Sequence, residues 1–154
     1  MIIAWTGHRP QGLSNCDGAR QLVIDKTKEL LEHYKYDELS YITGGAQGVD
    51  YWAACCAVAE YIPCTIYLPF PLKIMTKMWD DSDREDLRDL LIFANCKIIS
   101  KAYSKQGYQI RNIKMVDDAD QLIAVWNGKE CGGTWNTIKY ARSKNVPVTI
   151  LAET

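Results

Sequence analysis

Two stretches of this chain place glycines between an apolar run and a helical pattern. One is Thr43-Gly44-Gly45-Ala46-Gln47-Gly48-Val49-Asp50, and the other runs from Trp126 through Asn127-Gly128 to Gly132-Gly133-Thr134. Glycine lets a backbone turn tightly and lie close against a ligand. A helix opening behind such a turn aims its unpaired N–H groups and positive dipole end at the same place, which suits an anion and above all phosphate. A tight strand-to-helix turn with no ligand is the plain alternative. The spacing is not Gly-x-Gly-x-x-Gly, so by itself it names no cofactor.

Other residues with chemistry fall at neighbouring positions. Gly7-His8-Arg9 ends the first apolar run, Pro69-Phe70 ends the third, and Tyr103, Tyr108, Arg111 and Asn112 follow the fourth. Guanidinium groups give paired hydrogen bonds to phosphate oxygens, and aromatic rings suit a base or ribose face. For Asp50 two readings stand side by side: acceptor for ribose hydroxyls, or acidic partner of a helix dipole. His8 reads as structural, Trp126 as strand core, and Cys131 as an unactivated thiol.

The elements that must position these residues alternate. Apolar runs at Met1–Thr6, Leu39–Ile42, Pro63–Leu68, Lys97–Ser100, Asp120–Trp126 and Val146–Leu151 read as strands separated by helical patterns. Asp17 is expected to cap the first helix, and Ser82-x-x-Glu85 has capping-box spacing for the helix before the fourth strand. Ala53, Ala54, Ala57 and Ala59 suit a helix lying close on a sheet. The segment 71–81 reads as a loop or short helix folded over something. The expected fold is α/β, a Rossmann-like, doubly wound, mostly parallel sheet in one domain over 1–154, with strand order 3-2-1-4-5-6. Ligands of such sheets lie beyond the carboxyl ends of the strands. The candidate ligand-binding residues are therefore Gly7, His8 and Arg9; Thr43, Gly44, Gly45, Ala46, Gly48 and Asp50; Pro69 and Phe70; Arg111 and Asn112; and Asn127, Gly128, Gly132, Gly133 and Thr134.

Bulk properties narrow the classes. The chain has 154 residues, 47% hydrophobic and 24% charged, with a formal charge of −1, which fits a folded globular protein. The slight acidity argues against a protein held on nucleic acid by bulk charge. No apolar run approaches a membrane span, and the amino terminus lacks the basic flank of a signal peptide. Six cysteines, with no Cys-x-x-Cys and no histidine at ligand spacing, read as reduced thiols in a cytosol and not as a metal site.

Taken together, Thr6-Gly7-His8-Arg9-Pro10, the stretch Thr43–Asp50 with Trp52-Ala53-Ala54, Arg111-Asn112 with Met115-Val116-Asp117, and Gly132-Gly133-Thr134 with Tyr140-Ala141 resemble the YpsA-like branch of the SLOG superfamily. That Rossmann-like group also holds DprA and the LOG phosphoribohydrolases. The resemblance implies a nucleotide or nucleotide-derived ligand of the ADP-ribose or NAD class, with no cofactor required. LOG enzymes carry Pro-Gly-Gly-x-Gly-Thr-x-x-Glu, whose glutamate serves hydrolysis; against Cys131–Lys139 here, the acid position falls on Lys139. The expectation is a cytoplasmic nucleotide-binding sensor or sequestering module without turnover, open to self-association. The alternatives are an N-glycosidic hydrolase, with Asp50 or Asp117 supplying the carboxylate, and a DprA-like binder of single-stranded DNA.

Overall fold

A computed structural model describes residues 1–153. The elements are β1 (Ile2–Gly7), α1 (Cys16–His33), β2 (Ser40–Thr43), α2 (Val49–Ala59), β3 (Cys64–Leu68), α3 (Leu72–Met75), α4 (Asp81–Phe93), β4 (Asn95–Ile98), α5 (Gly107–Asp117), β5 (Gln121–Trp126), α6 (Gly132–Ser143) and β6 (Val148–Ala152). All six strands are parallel, in the order β4-β3-β2-β1-β5-β6.

Alternate side chains of the central strands leave the sheet on opposite faces, and both faces are covered, so the strands read as apolar throughout. Ile3, Trp5, Tyr41, Ile66, Leu68, Ile123 and Val125 pack against α1, α2 and α4. Ala4, Ile42, Tyr67, Leu122 and Ala124 pack against α5 and α6. Ala53, Ala54 and Ala57 are fully buried, bringing α2 close to the sheet, whereas Ala59 is exposed. The buried Tyr41 hydroxyl is satisfied by Thr27 of α1 at 2.9 Å.

Three expectations change. The winding reverses after the fourth strand and not the third: β4 continues outward beside β3, and the chain then returns across the other face through α5 to place β5 beside β1. The reversal still falls next to β1, so the ligand-facing end is unaltered. Asn15, not Asp17, caps α1, its Oδ1 accepting from Gly18 N at 2.9 Å. Finally, α4 already includes Ser82 as a helical residue, so the Ser82–Glu85 box does not form.

Gly45 changes role as well. It has φ +74°, and a Cβ there would stand 2.8 Å from Ile66 Cγ2 and 3.1 Å from Leu68 Cδ2. Its missing side chain makes room for the core beneath the turn, not for a ligand. Gly45→Val combines a left-handed backbone with overpacking, and should cost at least about 2 kcal/mol of stability. Urea unfolding measures this; an unshifted midpoint would show that the turn relaxes away from the core.

Candidate functional site

The floor of the site holds two buried groups of opposite charge. Arg111, on α5 and only 4% exposed, donates through Nη1 to the carbonyls of Gly44 and, at 3.4 Å, Tyr67, and through Nε to Asn112 Oδ1 at 2.7 Å. Asp50, in the first turn of α2 and also buried, accepts from Ala46 N at 3.3 Å. The two groups face one another across Gly44, where a Cβ would lie 2.6 Å from Arg111 Cζ and 2.7 Å from Asp50 Oδ2. Gly44 thus leaves space for both side chains, which influence one another through space without a direct ion-pair contact. Burial pushes the Asp50 carboxyl up to about 6, against the pull of Arg111, the Ala46 N–H and Arg9.

Above this floor lies a cavity of about 270 Å³. The end of β1 contributes Thr6, Gly7, His8 and Arg9; α2 and the turn before it give Asp50 and Ala46; α5 gives Tyr108, Arg111 and Asn112; and α6 gives Gly133 and Thr134. His8 ties two loops together: its Nε2 accepts from Asn127 N at 3.1 Å, and Asn127 Nδ2 donates to Gly12 O at 3.3 Å. An accepting Nε2 requires the neutral ring, and burial lowers the His8 pKa in the same direction. Arg9 is exposed, lies over the Tyr108 ring at 5.6 Å, and makes no ion pair among the described residues.

The two glycine turns prove unequal. At α2 the amides are largely spent: Val49 N bonds His8 O, Tyr51 N bonds Ala46 O, and Ala46 N bonds Asp50. Gly48, at φ +87°, allows the close approach, since a Cβ would strike His8 O at 2.5 Å. At α6 the N–H groups of Gly132, Gly133 and Thr134 have no partner among the described residues, and a Cβ on Gly132 would meet nothing within 4 Å. The open donor set is therefore at α6.

Of the residues expected at the site, Gly7, His8, Arg9, Ala46, Asp50, Arg111, Asn112, Gly133 and Thr134 meet around the cavity. Gly45 and Gly48 border a neighbouring depression of about 320 Å³. Thr43, Pro69 and Phe70 are buried behind the site, with Phe70 supporting the rings of Tyr103 and Tyr108. Gly44 is buried beneath it, Asn127 acts through its loop contacts, Gly128 lies in the loop leading to α6, and Gly132 is the first residue of α6. The arginines divide their duties: Arg111 holds three chain segments, and Arg9 is free to meet a ligand. Thr6 and Tyr108 line the cavity too: Tyr108 is one of the aromatic residues noted after the fourth strand, and Thr6 enters only as part of the motif around Gly7.

Three other expectations are corrected. Lys139 is exposed and lies over the Trp135 ring at 5.7 Å, away from the cavity. Counted from Gly133-Thr134, the LOG acid position falls on Thr137, which is buried and donates to Gly133 O at 2.8 Å. Asp117 sits at the far end of α5, accepting from Tyr140, and Asp50 is the acid that reaches the cavity. Trp126 is half-buried, stacked on Trp135 with centroids 5.1 Å apart.

A family model described as the YspA SLOG family, YpsA, matches residues 3–152, and the chain belongs to that family. No curated protein matches it. Among solved structures, DNA processing protein A from Helicobacter pylori, described by its single-stranded DNA binding mode, superposes with TM-score 0.68 at 16% identity, covering 97% of this chain and 64% of that one. DNA processing protein A from Streptococcus pneumoniae gives 0.67 at 14%, covering 97% and 49%. The molybdenum cofactor carrier protein of Chlamydomonas reinhardtii gives 0.62 at 18%, covering 97% and 74%. The chain thus spans about two thirds and one half of the two DNA processing proteins, and at these identities the likeness is one of fold. Among the described residues no helix is long and apolar enough to cross a membrane.

Asp50 makes stability depend on pH. Its folded value lies above its ordinary 3.8, so between about pH 4 and 6 the folded state holds a proton that the unfolded state has lost. Stability from this group is full below about pH 4 and is lost as pH rises through about 6. Wild type should therefore lose stability relative to Asp50→Asn between pH 4 and 7, by on the order of 3 kcal/mol. Chemical unfolding at both pH values tests this, and a constant difference would place the carboxyl in water.

Proposed function

We propose that this chain is a cytoplasmic nucleotide-binding module that holds a ligand with an ADP-like core and does not turn it over. The observation that carries this reading is the open α6 N-terminus facing the free guanidinium of Arg9 across a small cavity. Unpaired N–H groups, a helix dipole and a cation converge there, while the donors of Arg111 are already engaged by Gly44, Tyr67 and Asn112. The cavity fits phosphate with part of a ribose. No cofactor enters this account. Binding without chemistry is favoured because Asp50 is the single carboxylate on the cavity and is engaged by Ala46 N–H and Arg111.

A second reading rests on that same acid. A buried carboxyl with a pKa of about 6 is poised for proton transfer, and could stabilise positive charge developing at a ribosyl C1. The third, binding of single-stranded DNA, draws on the fold shared with the DNA processing proteins and has the formal charge of −1 against it. Incubation with AMP, ADP-ribose and NAD, followed by chromatography, separates the first two. Intact nucleotide after hours with stoichiometric protein is expected. Liberated adenine or nicotinamide, abolished by Asp50→Asn, would make the protein a hydrolase.

Arg9→Ala should weaken ADP by about 1.5–3 kcal/mol, the scale of a charged hydrogen bond, and leave adenosine almost unaffected. Calorimetric titration of both ligands is the measurement. Equal losses would mean that Arg9 shapes the loop and does not hold phosphate. Arg111 is unsuited to this comparison, because its removal leaves Asp50 buried and uncompensated.

A further inference from the structure

We propose that a wide cleft beside the cavity is a second subsite for an aromatic, anionic group, so that the ligand has two parts: two nucleosides joined through phosphates. This rests on the reading that the cavity at α6 takes phosphate. The cleft, about 970 Å³, adjoins the cavity: Arg9 and Tyr108 line both. The cavity alone is small for a whole nucleotide, whereas the cleft has the capacity of a full ligand pocket. A ligand whose phosphate sits at α6 and whose remainder exceeds the cavity would extend past Arg9 into the larger space.

The cleft wall has the chemistry for what would arrive there. Lys73 and Lys77 line it, exposed and making no ion pair among the described residues, and Arg9 joins them. Tyr103 is 64% exposed, yet its ring packs on buried Phe70 with centroids 5.2 Å apart, which leaves a rooted aromatic platform open to stacking. Met78, 89% exposed, and Ile74 add uncovered apolar surface at the same place. Exposed apolar groups gathered in one concavity among cations mark a binding surface more than a solvated one. Two acids share the wall: Asp83 is engaged by Gln47 Nε2 at 2.5 Å, and Asp80 remains available to ribose hydroxyls.

This wall is built. Met75 is buried, Thr76 Oγ1 donates to Leu72 O at 2.8 Å, and Arg84 clamps the Trp79 carbonyl through Nη2 at 2.6 Å and Nε at 3.1 Å. The backbone that carries Lys73 and Lys77 is therefore held by packed neighbours, which limits the ordering cost of binding.

Calorimetric titration with AMP, ADP, NAD, diadenosine diphosphate and an oligothymidylate tests the proposal. The two dinucleotides should bind at least about tenfold more tightly than ADP, the worth of one further charged contact or stacked base. Tyr103→Ala, and separately Lys73→Ala combined with Lys77→Ala, should abolish that advantage while AMP affinity stays the same. Lys73 and Lys77 are exposed, so their double variant should keep the wild-type melting temperature, whereas Tyr103→Ala also loses the Phe70 contact and is checked by a cooperative unfolding transition. Equal affinity for ADP and the dinucleotides, or an advantage that survives both variants, overturns the second subsite and leaves the phosphate cavity standing. Failure of every nucleotide to bind overturns the cavity and the subsite together. Preference for the oligonucleotide, lost in Tyr103→Ala, would assign the cleft to a nucleic-acid strand instead.

Discussion

The site depends on a guanidinium that the fold cannot leave unpaired. Arg111 is almost wholly buried, and its donors go to the carbonyl of Gly44, the carbonyl of Tyr67 and the side chain of Asn112, with Asp50 opposite. Burying a charge is tolerable only when partners replace its water, so the first turn of α2, the end of β3 and α5 must all arrive together. That requirement fixes Gly44 as glycine on steric grounds. It also fixes Asp50 as the one acid beneath the cavity. Removing either charge would strand the other, so the pair behaves as a keystone of the fold before it behaves as part of a ligand site.

Sheet topology explains why the remaining groups gather above that keystone. The β1 loop and the β5 loop leave neighbouring strands toward opposite faces, since α1 covers one side and α6 the other. The crevice between them cannot be filled by either helix. His8 spans it through the Asn127 amide, and Gly48 lets α2 close against the His8 carbonyl. These contacts consume the donors of α2 and leave those of α6. The unpaired backbone donors thus lie at the opening of α6 and not at that of α2.

Much of this was legible in the chain. Apolar runs alternating with helical patterns were enough for a parallel sheet, and several of the residues singled out at the strand ends line one cavity. The strand order was not legible, because nothing local in Asn95–Ile98 says that it lies outside β3; that follows from how α5 crosses the far face. The role of Gly45 was hidden for a similar reason. Glycine in a turn can serve a ligand or a core, and only the positions of Ile66 and Leu68 decide between them. Phe70 and Arg111 were found at the site, but as support, since burial is a tertiary property. Lys139 looked informative by counting along a motif, yet its side chain lies over Trp135 on the outer surface.

That last displacement alters the basis for expecting no chemistry. A lysine at the catalytic position would have opposed positive charge at C1 directly; a lysine outside the cavity says nothing about it. The weight moves to Asp50, which has the elevated pKa of a proton-transfer group but the surroundings of a structural one. Its proton affinity is raised by burial beneath the site, the condition that also makes it a partner for Arg111. Ionised, it balances the guanidinium; protonated, it would leave that positive charge to any anion in the cavity. A bound phosphate would compete with Asp50 for Arg111, favour the protonated acid, and raise the Asp50 pKa further. An anion bound there would thus be coupled to proton uptake at the same acid, with no bond made or broken in the ligand.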